Sequence, residues 1–237
     1  MAQLPLPLEF DSRFSLDNYI ADPAPYIRHQ LTALFDETGE SLIGLWGGTD
    51  SGKTHLLNAC ALYARDADIR YHLFDAAQLI EASADGFSEF AAGSVLAVDN
   101  IDLLAGNRDW EAACYQVVNR VKNGELRFLF SLSRQPRDTG FRLPDLKSRL
   151  GWGLLIALPQ PDDAAVERIL RERARLLGLE LGDEALHFLL SRYSRRLKDQ
   201  MDALQLLDAA ALSMQRRITV PLIREVLPFQ LEPDSAR

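Results

Sequence analysis

Cysteine is scarce in this chain: Cys60 and Cys114 are the only two in 237 residues. Two thiols cannot build a disulfide framework or a four-ligand zinc site. Both fall in apolar helical patterns, which predicts reduced, buried side chains in a cytosolic protein. No run of about 18 apolar residues is present to span a bilayer, and no basic-then-apolar leader opens the chain, so no membrane association is expected. A basic excess is missing too. The formal net charge is −8, which argues against stable independent DNA binding, because that needs a concentrated cationic surface to displace counterions. The local basic clusters (Arg168, Arg171, Arg173, Arg175; Arg192, Arg195, Arg196, Lys198) lie on helical patterns among acids and read as solvated faces. What remains is an ordinary soluble composition, 47% apolar and 25% charged, long enough to bury a substantial core.

Against that plain background one stretch stands out. Gly47-Gly48-Thr49-Asp50-Ser51-Gly52-Lys53-Thr54 satisfies the phosphate-loop pattern G-x-x-x-x-G-K-[ST]. The apolar run 42–46 before it predicts a buried strand, and His55 opens a pattern of helical period after it. Glycines at 47, 48 and 52 let backbone N–H groups converge on phosphate oxygens. The helix N-terminus adds positive potential, Lys53 a point charge, and Thr54 a hydroxyl for Mg²⁺. A nucleotide site is therefore expected. Some 45 residues on, the run of four apolar or small residues 95–98 ends in Asp99, as the Mg²⁺-side carboxylate of such a protein requires. The following position, where a second acid would orient the attacking water, holds Asn100, which cannot accept a proton; Asp102 is the only nearby acid.

The rest of the chain alternates. A helix is expected from about 23 to 35, strands at 68–74, 94–99, 127–133 and 154–158, and helices at 76–82, 108–123 (closed by Gly124) and 144–150. Beyond Pro159 and Pro161 only helices are suggested, at about 162–178, 183–193, 196–214 and 220–227, with Asp183 and Thr219 as N-caps and Pro221 in a first turn. The expected fold is α/β: a parallel sheet flanked by helices over 13–160, then a small helical lid over 161–237. Residues 1–12 stand apart. Gln3-Leu4-Pro5-Leu6-Pro7-Leu8 alternates apolar and other residues around two prolines, which favours an extended peptide able to insert into a partner's pocket; a tail or edge strand fits the same composition.

The phosphate loop with His55-Leu56-Leu57-Asn58-Ala59, the segment from Val98 to Gly106, and the segment from Leu143 to Gly153 together resemble the DnaA-related AAA+ family. The terminal peptide 3–8, the pair Asp99-Asn100, the lead-in Leu143-Pro144-Asp145-Leu146 and an ending soon after Ile218-Thr219-Val220-Pro221 are similar to its Hda-type branch, the regulatory inactivators of DnaA. That resemblance implies an AAA+ core and lid without DnaA's own helicase-interacting and DNA-binding domains. It implies ADP or ATP with Mg²⁺ held by Gly47–His55 and Asp99, Tyr19 and Ile20 against adenine, and Lys198 (or Arg195 or Arg196) as the lid sensor. Ser133 stands at the first sensor position. Residues 3–8 resemble a peptide that binds the sliding clamp (the beta subunit of DNA polymerase III), bringing the protein to DNA only indirectly, in a cytoplasmic, nucleoid-associated setting. Arg149 resembles an arginine finger that acts in trans on ATP held by DnaA, the other expected partner, and a homo-oligomer is compatible with the family. An autonomous ATPase of helicase-loader type and a clamp adaptor without hydrolysis-promoting activity are the competing expectations.

Overall fold

The computed structural model describes residues 14–21, 23–36, 39–194 and 196–227; the terminal peptide 3–8 and Arg195 lie outside them. Packing divides the chain into two compact units, Met1–Gln160 and Pro161–Arg237.

The first unit is built on five parallel strands, β1 (Leu42–Trp46), β2 (Tyr71–Asp75), β3 (Val95–Asp99), β4 (Arg127–Leu132) and β5 (Leu154–Ala157), in the order β2-β3-β4-β1-β5. The helices are α1 (Ala24–Ala33), α2 (Lys53–Asp66), α3 (Ala76–Leu79), α4 (Arg108–Lys122) and α5 (Pro144–Leu150), with 3₁₀ turns at Ile101–Leu104 and Pro136–Asp138. Both sheet faces are covered, which is why the central strands read as unbroken apolar runs rather than alternating ones. Ile43, Leu45, Val95, Ala97 and Leu129 pack against Ile27 and Leu31 of α1 and Leu56, Leu57 and Cys60 of α2. Leu96, Val98, Phe128 and Phe130 face the other way, onto Trp110, Cys114, Val117, Val118 and Val121 of α4 and Leu146 and Leu150 of α5. Both cysteines are free and buried.

Among the described residues the second unit has four helices: α6 (Asp163–Leu176), α7 (Asp183–Arg192), α8 (Leu197–Met214) and α9 (Val220–Val226). Its core joins Leu170, Leu186, Leu189, Leu204, Leu207, Leu222 and Ile223. Asp162 caps α6 by accepting from the Ala165 N–H at 2.7 Å. Two local expectations differ from the structure. Gly182, not Asp183, is the N-cap of α7, because Asp183 is already helical and its carboxylate takes Arg171 at 2.8 Å instead. Thr219 is the N-cap of α9 as expected, although its side chain makes no capping bond. Arg173 is buried, so the basic cluster of α6 is not uniformly solvated; the stripe that carries Leu170 and Ala174 inward takes Arg173 with it. Arg171 and Arg175 are exposed and pair with Glu167 and Glu172. Among the described residues no helix is long and apolar enough to cross a membrane.

Candidate functional site

Because every strand runs the same way, the C-terminal ends of β1, β3 and β4 open on one edge, as the register pairs Trp46↔Leu132 and Val98↔Phe130 show. The phosphate loop leaves β1 there, Asp99 ends β3, and Ser131 and Ser133 sit at the end of β4. The sequence separates Thr54 from Asp99 by 45 residues, yet the Thr54 hydroxyl donates to Asp99 Oδ2 at 2.6 Å. Ser131 donates to the other carboxylate oxygen, and Ser131 Oγ in turn accepts the Asn100 N–H at 2.7 Å. A buried carboxylate beside a hydroxyl, both hard oxygen donors, suits Mg²⁺, which completes its shell with phosphate oxygens and water. Thr54 and Asp99 would hold that ion.

The loop itself is shaped for close backbone approach. Gly52 caps α2 with φ +86°, and a Cβ there would fall 2.6 Å from the Tyr19 ring. A Cβ on Gly47 would fall 2.6 Å from the Leu158 carbonyl oxygen. Asp50 adopts φ 64° without being glycine, a conformation that Asp tolerates better than most residues. Lys53 Nζ donates to the carbonyl oxygens of Gly47 and Gly48, both at 2.7 Å, and to Ser51 Oγ at 3.3 Å. Burial lowers the Lys53 pKa below the ordinary lysine value, and the carboxylates of Asp99, Asp102 and Asp50 oppose that shift. Helix N-terminus, ammonium and hydroxyl thus converge on a small volume suited to polyphosphate.

Residues 14–20 lie across this loop. Tyr19 is buried, its hydroxyl donates to the Ser51 carbonyl at 3.2 Å, and burial pushes its pKa up to about 12. His55 Nε2 lies 3.0 Å from the Ser15 carbonyl oxygen, and its ring meets Phe14 and Tyr19 at 5.0 and 5.7 Å between centroids. Tyr19 thus braces the phosphate loop, and Ile20 beside it is half-buried. On the other flank Asn100 takes φ 56°, while Asp102 accepts from both the Ser133 hydroxyl and the Ser133 N–H, the latter at 3.2 Å. The displaced acid is therefore tied to the first sensor position. Lys198 and Arg196 are exposed residues of the second unit.

Arg149 lies elsewhere. It is one residue from the end of α5, and Gly153, just beyond, is packed so tightly on the first residue of β1 that a Cβ would fall 2.3 Å from the Leu42 carbonyl oxygen. The phosphate loop leaves the opposite end of the same strand. On the order of 15 Å of sheet separates the two edges at about 3.3 Å per residue. The end of α5, and Arg149 with it, lies at the edge opposite the chain's own nucleotide loop.

What holds α5 is not written locally in the sequence. Glu111, in the first turn of α4 and 2% exposed, accepts from the Gly106 N–H at 2.7 Å, from the Arg142 N–H at 3.0 Å with both oxygens, and from the Leu143 N–H at 2.6 Å. One carboxylate thus ties the turn after Asp102 to the entry of α5. The only signal in the sequence was an acid beside Trp110 in an otherwise apolar stripe. Glu111→Ala should lower stability by about 2–3 kcal/mol in urea unfolding, because three part-buried N–H groups lose a charged acceptor. A loss under about 1 kcal/mol would mean that water replaces the carboxylate readily.

The model of the bacterial DnaA ATPase domain matches residues 10–157, and that of the Hda lid domain matches residues 162–227. An uncharacterized protein of Haemophilus influenzae is 30% identical over 229 residues, which cover 95% of this chain and 98% of that protein. Among solved structures, domain III of the replication initiation protein DnaA from Thermotoga maritima is similar with a TM-score of 0.78 at 18% identity, over 93% of this chain and 98% of that one. AMPPCP-bound DnaA from Aquifex aeolicus gives 0.67 at 18% identity, over 86% of this chain and 68% of that one. These structural likenesses establish the fold. With the DnaA model spanning more than half of the chain and the Hda model the helices that follow, the chain belongs to the DnaA-related AAA+ family and carries an Hda-type lid.

Proposed function

We propose that this protein is a regulator of DnaA that holds ADP or ATP with Mg²⁺ in its own phosphate loop, docks on the DNA-loaded sliding clamp through residues 3–8, and promotes hydrolysis of ATP bound to DnaA by presenting Arg149 in trans. ATP-DnaA then becomes ADP-DnaA, and re-initiation of replication is restrained. The observation that carries this reading is the division of labour across the sheet. The edge that can hold phosphates has Asn100 where a water-orienting acid is needed, and the arginine suited to stabilising a departing phosphoryl group sits at the other edge. Such an arrangement favours chemistry on a neighbour's nucleotide over an autonomous motor. Tyr19, whose hydroxyl donates to the Ser51 carbonyl, and Ile20 are the residues proposed to lie against the base, and Lys198 (or Arg195 or Arg196) is the lid residue proposed to sense the phosphates.

The direct test follows loss of radiolabelled ATP from DnaA with clamp and DNA present, with and without this protein. Unchanged loss on adding the protein would exclude the proposal. The clamp peptide is tested separately. Leu6 and Leu8 act as apolar anchors and Gln3 as a hydrogen-bonding edge, and truncating such anchors commonly costs at least about 2 kcal/mol. The double variant Leu6→Ala, Leu8→Ala should keep its melting temperature and lose clamp affinity by about thirtyfold or more in surface plasmon resonance. Equal affinity would assign the segment to a plain tail.

A further inference from the structure

The guanidinium of Arg149 is held by rings, not by acids. Its Cζ lies 4.3 Å from the ring centroid of Tyr115 and 5.4 Å from that of Trp152. Lys122 Nζ reaches the Trp152 ring at 5.3 Å. Glu111, Tyr115 and Lys122 fall four and seven residues apart along α4, so they share one face of that helix. Trp152 follows α5, its backbone N–H donating to the Arg149 carbonyl at 3.0 Å, and the residue is 59% exposed. Among the described residues no carboxylate pairs with Arg149, and its buried Nη1 makes no hydrogen bond.

An ion pair would occupy the planar N–H fork and would have to break before that fork could meet a phosphate. Stacking leaves the donors other than the buried Nη1 outside any ion pair while it removes rotamer freedom from a long side chain. Glu111 contributes at the next level, by fixing the backbone from which α5 starts. Resting on the reading of Arg149 as a trans-acting finger, we propose that Tyr115 and Trp152 are positioning residues that fix its guanidinium plane and present its N–H edge to the γ-phosphate held by the partner. Trp152, exposed beside it, is the apolar part of the same surface and becomes covered when the partner docks. Positioning of this kind acts on the rate at saturation, since the stabilised charge develops only as the phosphoryl group leaves.

The test is single-turnover ATP hydrolysis by DnaA, with clamp-loaded DNA, titrated with Tyr115→Leu, Tyr115→Phe, Trp152→Leu and Arg149→Ala variants of the full chain. Tyr115→Leu should lower the saturating rate about tenfold and leave the half-saturating concentration within about twofold. Tyr115→Phe keeps the ring face and should retain at least about half of the rate, an outcome that loss of general packing does not predict. Trp152→Leu should lower the saturating rate as well, and because the side chain is largely exposed it leaves folding intact. In the Arg149→Ala background Tyr115→Leu should have no further effect. Positioning is overturned, with the finger reading intact, if Arg149→Ala is inactive while Tyr115→Leu and Trp152→Leu both match the unaltered protein. It is overturned equally if Tyr115→Phe is as damaged as Tyr115→Leu. A fully active Arg149→Ala removes the finger reading and this inference together.

Discussion

Arg149→Ala should reduce the saturating single-turnover rate of DnaA-bound ATP hydrolysis by about 10³-fold or more, towards the rate without this protein. The size follows from when the interaction is made. Charge spreads over the γ-phosphoryl oxygens only as the bond to the leaving group weakens, so a guanidinium placed there stabilises the transition state far more than the docked complex. Arg149→Lys keeps the positive charge but lacks the planar fork and the flat face that stacks on Tyr115, 4.3 Å away. It should be nearly as impaired. Neither substitution should alter nucleotide binding, because α5 ends at the sheet edge opposite the phosphate loop, and neither should alter clamp affinity. If Arg149→Ala accelerates hydrolysis as well as the unaltered protein does, the finger is another residue or the protein is a clamp adaptor without hydrolysis-promoting activity.

The features legible in the sequence are those written locally. The phosphate loop is eight consecutive residues, and its strand and helix flank it directly; Asp99 closes an apolar run, and Gly124 and Gly178 mark helix ends with φ +75° and +71°. What escaped depends on partners far along the chain. Glu111 reads as an ordinary first-turn acid, and only the fold brings it to the backbone of Arg142 and Leu143, more than thirty residues on. Ser131 was visible as a polar residue in an apolar strand, but its placement against Asp99 depends on β4 lying beside β3. The Tyr115–Arg149 stack needs α4 and α5 side by side, which no periodicity states. Asp183 has the propensity of a cap, but that propensity does not reveal that Arg171 competes for the same carboxylate. The strand order is the largest omission. With β1 between β4 and β5, α5 must return to the start of the sheet before β5 begins, and that places Arg149 away from its own nucleotide loop.

Lys53→Ala should weaken nucleotide binding by the isolated protein about a hundredfold in equilibrium dialysis, the loss expected when one charge-assisted contact to phosphate is removed. Lys53 donates to the carbonyl oxygens of Gly47 and Gly48, so its charge already sits inside the loop. A polyphosphate exchanges those neutral acceptors for charged ones, which are the stronger partners. The same contacts supply the competing outcome: if Lys53→Ala binds nucleotide normally but melts earlier, the lysine is a brace for the loop, and phosphate recognition rests on the helix N-terminus alone. Unaltered protein should bind nucleotide and still turn it over more slowly than about 1 s⁻¹, below ordinary enzyme rates. Asn100 cannot take a proton, its backbone is committed to Ser131, and Asp102 is committed to Ser133. Faster turnover by the protein alone would show that Asp102 leaves Ser133 to orient water, and would move the chemistry from the partner's nucleotide to this one.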